Sequence, residues 1–130
     1  MNEALRKKYI PMTETIYYTL LALIQPRHGY AVIQYVNVLS GGRITLGTGT
    51  LYTMVGRLTA DGVIVTLPGR EKKTYQITQE GMALLTEETE RLERQLADGR
   101  KMLSGGVFTV PKRQDEEQAA ENSREEVIFV

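Results

Sequence analysis

Apolar residues recur at helical spacing from the thirteenth residue onward. In TETIYYTLLALI (Thr13 to Ile24), Ile16, Leu20, Leu23 and Ile24 share one face, which is the pattern of an amphipathic helix. Thr13 can cap its start. Pro26 stops it, because the residue before a proline is driven out of the helical region. A second helix is expected in GYAVIQYVNVLS (Gly29 to Ser40), with Ile33, Val36 and Leu39 inward and Val32 and Asn37 at the edges. Gly41-Gly42 ends it, since glycine tolerates the left-handed conformation past a helix. Arg43-Ile44-Thr45-Leu46 is long enough only for a short strand.

The next stretch carries the most information. Leu51, Val55 and Leu58 make one stripe of a third helix, from about Gly49 to Ala60, with Thr50, Thr53 and Arg57 on its other side. Thr48 is a plausible cap, and Asp61-Gly62 closes the helix. Val63 to Leu67 reads as a strand, Pro68-Gly69 as a turn, and Thr74 to Ile77 as the returning strand. Thr78 then caps a last helix reaching about Ser104, before Gly105-Gly106. Helices followed by a two-stranded hairpin and another helix, in this order, make a winged helix-turn-helix. The expected fold class is mainly α (α+β): a winged helix-turn-helix domain over residues 1–78 and a long C-terminal dimerisation helix over 79–105. An acidic, flexible tail is expected over 106–130.

The last helix repeats its apolar residues in steps of four and three, through Leu85, Thr89, Leu92, Leu96, Gly99 and Leu103. A helix this long outruns so small a domain, so Leu85, Leu92, Leu96 and Leu103 are candidates for the seam of a homodimer. The competing reading is a helix folded back over its own domain.

Composition narrows the chemistry. The chain has no cysteine and a single histidine, His28. Thiolate metal sites, disulfides and a histidine-based metal or triad site are therefore excluded. His28 is expected to orient a turn. Gly47 and Gly49 are not followed by the Gly-Lys-Ser/Thr of a phosphate loop. No enzyme, cofactor or metal is expected. Neither a membrane span nor a signal peptide is expected, and a cytoplasmic location is the default expectation.

The formal net charge of zero conceals an asymmetry. Up to Thr78 there are nine basic and four acidic residues, a net +5, and the remainder is −5. A basic front half suggests an anionic partner, namely double-stranded DNA. A recognition helix needs small polar side chains near its N-terminus and cations in reach of phosphates. Thr48, Thr50, Tyr52, Thr53 and Arg57 meet that need, and Arg70, Lys72 and Lys73 at the hairpin tip would reach the adjacent minor groove or its phosphates. Tyr52 could equally be core, with only its hydroxyl outside. A protein–protein adaptor using the same helix and wing, without DNA, is the alternative.

These pieces resemble the PadR family of transcriptional regulators, in its short form. The resemblance spans about residues 13 to 103. It rests on Leu-Leu-Ala-Leu-Ile, His28-Gly29-Tyr30, Gly49-Thr50-Leu51-Tyr52, Arg57-Leu58 with Asp61-Gly62-Val63-Ile64, and Lys72-Lys73-Thr74-Tyr75-Gln76-Ile77-Thr78 followed by Gly81. It implies a homodimeric DNA-binding repressor, dimerised through the last helix, that leaves its operator on binding a small molecule. Some short members hold flat aromatic compounds between tryptophans at the dimer centre. This chain has no tryptophan, and Leu92 stands near that helix position. The expected effector is accordingly a small apolar one.

Overall fold

The computed structural model describes residues 2–69 and 71–112. In chain order the elements are α1 (Glu3–Tyr9), α2 (Glu14–Ala22), β1 (Arg27–His28), α3 (Gly29–Leu39), α4 (Thr48–Ala60), β2 (Ile64–Leu67), β3 (Thr74–Ile77) and α5 (Gln79–Leu103). The strands form one antiparallel sheet in the order β1-β3-β2, with Ile64 opposite Ile77 and Leu67 opposite Thr74 in the wing hairpin. This is the expected winged helix-turn-helix with a long C-terminal helix. Residues 1–95 make one compact unit and residues 96–130 another.

Local chemistry explains most boundaries. The Thr13 side chain accepts from the Ile16 amide at 3.2 Å and starts α2. That helix ends at Ala22, two residues before the expected end, and Ile24 stands half-exposed beyond it. Gly62, at φ 75°, follows α4 in the left-handed region, and the Val63 amide closes back on the Leu58 carbonyl at 3.0 Å. This arrangement satisfies the carbonyls that a helix end leaves bare. Thr78 joins two elements: its hydroxyl donates to the Gly62 carbonyl at 2.7 Å and accepts from the Gly81 amide at 3.1 Å. A Cβ on Gly81 would collide with the Val63 carbonyl, so only glycine lets α5 start this close to the end of α4.

Four expectations need correction. Arg43 to Leu46 is not a strand. The Ile44 amide donates to Ser40 Oγ at 3.0 Å and its carbonyl accepts from Asn37 Nδ2 at 3.3 Å, so side chains of α3 occupy that backbone. The third strand is instead Arg27–His28, opposite Tyr75 and Thr74. It is drawn alongside β3 by the bond from the Ile77 amide to the Leu23 carbonyl, 2.8 Å. The inner face of α3 is also turned: Gly29, Val32 and Val36 are buried, Ile33 is half-buried and Leu39 is exposed. Gly29 selects that face, since a Cβ there would lie 2.7 Å from Tyr52 Oη and 3.2 Å from Leu51 Cδ2. Thr48 is not a cap. Gly47 occupies that position without a side-chain bond, and Thr48 is the first residue of α4. Lastly, Leu85 is only 4% exposed, inside the core of its own chain, and so is not the open seam residue expected.

The short α1 went unforeseen. Asn2 caps it, accepting from the Ala4 amide at 2.8 Å, and Leu5 and Tyr9 are its buried residues. Its polar side is tied to α5 and α4. Arg6 Nε donates to Glu87 at 2.8 Å, and Lys8 pairs with Asp61 at 2.8 Å. Tyr9 donates to the same Asp61 carboxylate at 2.5 Å. Burial, then that bond, pushes the Tyr9 phenol up to about 12. Early α5 packs against α2. Tyr17 donates to Thr89 Oγ1 at 2.7 Å, and buried Glu88 accepts from the Met12 amide at 3.2 Å and from Arg91 at 2.7 and 2.8 Å.

Candidate nucleic-acid interface

Helix α4 has two unlike faces. Leu51, Met54, Val55 and Leu58 are buried in the core, and they hold an outer face of Thr48, Gly49, Thr50, Tyr52, Thr53, Gly56 and Arg57, all exposed. Two glycines and three threonines in that face leave the helix backbone close to its own surface. A groove wall can therefore approach it without meeting long side chains.

A cleft lies on each side of this face. The first, of about 540 Å³, is lined by Thr50, Thr53 and Arg57 with Thr13, Thr15 and Ile16 at the start of α2. The second, of about 420 Å³, runs between α4 and the wing and is lined by Tyr52, His28, Gly29, Tyr30, Lys72, Lys73 and Tyr75. Tyr52 is half-exposed, its ring resting over Gly29. Tyr52 is thus neither fully core nor fully free of the fold. Arg70 lies outside the described residues.

Ion pairing sorts the basic residues of the front half. Arg6 is held by Glu3 and Glu87, Lys8 by Asp61, and Arg43 by Glu14. Arg27 stacks on the Tyr35 ring, 4.0 Å from its centroid, and its Nε donates to the Ala22 carbonyl at 2.7 Å. Among the described residues up to Thr78, Lys7, Arg27, Arg57, Lys72 and Lys73 take part in no ion pair. Three of these, Arg57, Lys72 and Lys73, flank the exposed face of α4. Arg57 still feels Asp61, whose carboxyl is held below the usual carboxylate range by the bonds from Lys8 and Tyr9, with a smaller contribution from Arg57 itself. Because Lys8 and Tyr9 already occupy Asp61, the guanidinium is left able to meet a phosphate.

Sequence reasoning missed His28, Tyr30, Tyr75, Thr13 and Thr15 as neighbours of this surface. His28 is the cap of α3, its Nδ1 accepting from the Ala31 amide at 3.3 Å. Its expected role of orienting a turn matches that position. Of the other four, Tyr75 reads as a strand residue and Thr13 as a cap, and only the tertiary fold carries them to α4.

The description "Transcriptional regulator PadR-like family" matches residues 19–87, more than half of the chain. The chain belongs to this family. Its members are transcriptional regulators, not enzymes. A transcriptional regulator from Clostridium thermocellum is 22% identical, with a TM-score of 0.59 over 78% of this chain and 96% of that one. A PadR-family transcriptional regulator from Eggerthella lenta is 26% identical, with a TM-score of 0.56 over 80% and 88%. BpsR of Bordetella bronchiseptica, 20% identical, shares the fold with a TM-score of 0.54 over 95% and 82%. No curated protein matches the chain in sequence. Among the described residues, no helix is long and apolar enough to cross a membrane.

Proposed function

We propose that this PadR-like regulator is a homodimeric, sequence-specific repressor that reads an inverted-repeat operator in double-stranded DNA in the cytoplasm. The observation that carries this reading is the outer face of α4, small and hydroxyl-rich, with Arg57 on one side and Lys72 and Lys73 on the other. Thr48, Thr50, Thr53 and Tyr52 would face base edges or the sugar–phosphate wall, and the wing would reach the flanking minor groove. One such domain makes few contacts, so specificity needs two at a fixed separation, and a two-fold protein reads a two-fold site. Leu92, Leu96 and Leu103 of α5 are the proposed seam. Leu96 and Leu103 are 55% and 91% exposed, and Leu92 is half-buried.

Release by a small apolar effector fits this reading. A cleft of about 270 Å³ is lined by Met12, Tyr17, Tyr18 and Leu92, together with Glu14 and Glu88. For BpsR, which shares the fold, regulation of DNA binding by 6-hydroxynicotinic acid has been described. The exposed rings of Tyr30 and Tyr52 favour a second reading, a protein–protein adaptor. Selection of bound fragments from a random duplex pool, with sedimentation of the free protein, tests the proposal. Enrichment of a two-fold sequence by a dimer is the expected result. A chain that enriches nothing would leave the adaptor.

A further inference from the structure

The cleft between the wing and the start of α3 is built unlike the rest of the surface. Tyr75 is only 6% exposed as a residue, yet it lines the cleft, and its hydroxyl, which is not sealed from solvent, has no hydrogen-bond partner among the described residues. A hydroxyl left open at the rim of an otherwise buried side chain is free to donate to a molecule in the cleft. The Tyr52 hydroxyl lies close by. Burial chiefly, and then this neighbour, raises the Tyr75 phenol above its ordinary value, which keeps it a neutral donor. Tyr30 supplies a third hydroxyl and Lys72 and Lys73 two ammonium groups. The floor is Gly29, where a Cβ would meet Tyr52; the Ala31 amide is taken by His28 Nδ1, which leaves the amides of Gly29 and Tyr30 at the start of α3. Those amides have no intrahelical partner at any helix start. None of the lining residues is acidic.

Every group here can donate a hydrogen bond, and the two formal charges are positive. The complement is a compact anion with several acceptor oxygens. We propose that this cleft is a phosphate site, with the Tyr75 and Tyr30 hydroxyls and the first amides of α3 closing on the oxygens and Lys72 and Lys73 neutralising the charge. A backbone phosphate beside the half-site is one source, and this arm rests on the DNA reading above. A free phosphorylated compound is the other.

The full-length chain tests both sources. Tyr75→Phe removes only the unpaired hydroxyl, so melting should be unchanged or slightly higher, which a merely structural role would not produce. Its affinity for the selected duplex should fall roughly tenfold, as for loss of a hydrogen bond to a charged group, with the slope against salt unchanged. Tyr30→Phe should behave alike. A methylphosphonate at the contacted linkage should abolish the difference between parent and Tyr75→Phe, which identifies the backbone as the source. In parallel, inorganic pyrophosphate is titrated into the free protein while the Gly29 and Tyr30 amide resonances are followed. Saturable shifts that weaken in Tyr75→Phe, without any change in duplex affinity, identify the free-compound source. If neither duplex affinity nor pyrophosphate binding responds to the two Phe variants, the phosphate site is overturned. If the parent binds no duplex at all, the DNA reading fails by itself, and the pyrophosphate titration alone decides the cleft.

Discussion

Arg57 and Leu58 are adjacent in sequence and opposite in role, which makes α4 the place to separate binding from folding. Leu58 is fully buried in the core, whereas Arg57 is exposed and its acidic neighbour Asp61 is already held by Lys8 at 2.8 Å and Tyr9 at 2.5 Å. Removing the Arg57 side chain orphans nothing, so Arg57→Ala should change folding stability by less than ~0.5 kcal/mol. A guanidinium in the groove or on its edge contributes about 1–3 kcal/mol per contact. A two-fold complex carries the substitution twice. For well-separated sites the losses add to about 2–6 kcal/mol, which is at least a roughly 30-fold loss of affinity. Leu58→Ala should instead cost about 2–5 kcal/mol of stability, lowering the melting temperature by some ~8 °C or more for a unit of this size. At a temperature where it remains folded, its operator affinity should be close to the parent's. Calorimetry for folding and anisotropy on the selected duplex for binding give the two readings. If Arg57→Ala melts like Leu58→Ala, or binds like the parent, the assignment of the two faces is wrong.

Three further outcomes are expected. Lys72→Ala with Lys73→Ala should flatten the slope of log K against log salt by up to about two, at ~0.9 per phosphate neutralised, and an unchanged slope would take the wing out of the interface. Leu96→Glu with Leu103→Glu alters only side chains bare in the protomer. It should therefore give a folded monomer in sedimentation that no longer shifts the operator, and a persisting dimer would place the seam elsewhere. Glu88 is held below the usual carboxylate range by Arg91 and the Met12 amide, against its burial. Its contribution is thus present above the unfolded value near ~4.3 and is lost as pH falls through the folded one. Urea midpoints at neutral and acid pH should converge between parent and Glu88→Gln on acidification, and parallel curves would contradict the ion pair.

Much of the reading domain was legible because its signals are local. The Leu51, Val55 and Leu58 stripe, the Asp61-Gly62 stop and the Thr78 start each depend on a few neighbouring residues, and each is where the pattern puts it. The misses are tertiary. In Ala31 to Leu39 two apolar faces compete, and the choice falls to Gly29, because α4 sits against it. Arg27–His28 becomes a strand through β3, almost fifty residues away. Helix α1 is a single short turn-pair with two buried residues, too few for a period to show. Tyr75 reads as an ordinary strand residue. Only the fold shows that it lines one cleft with Gly29 and Tyr30 at the start of α3.

The leucines of α5 explain why one heptad-like pattern gave two different outcomes. Leu84, Leu85 and Glu88 are buried in the protomer, Leu92 is half-covered, and Leu96 and Leu103 are bare. The spacing does not change along the helix, and sequence alone shows no point at which the core ends. That point depends on how far α2 extends beside the helix, through Tyr17 on Thr89 and Met12 on Glu88. Beyond those contacts the same apolar period continues, with Leu96 55% and Leu103 91% exposed, and a solvated helical extension of a few turns is marginal by itself. Covering Leu96 and Leu103 with the same residues of a second copy would supply the missing burial and place the two-fold axis along this part of α5. An effector in the cleft at Met12, Tyr17, Tyr18 and Leu92 would act where core and seam meet. A ligand there shifts the equilibrium only by its difference in affinity for the two arrangements. Glu88 and Tyr17, which bind α2 to α5 at that point, are therefore the residues whose substitution should change release without changing the operator sequence that is read.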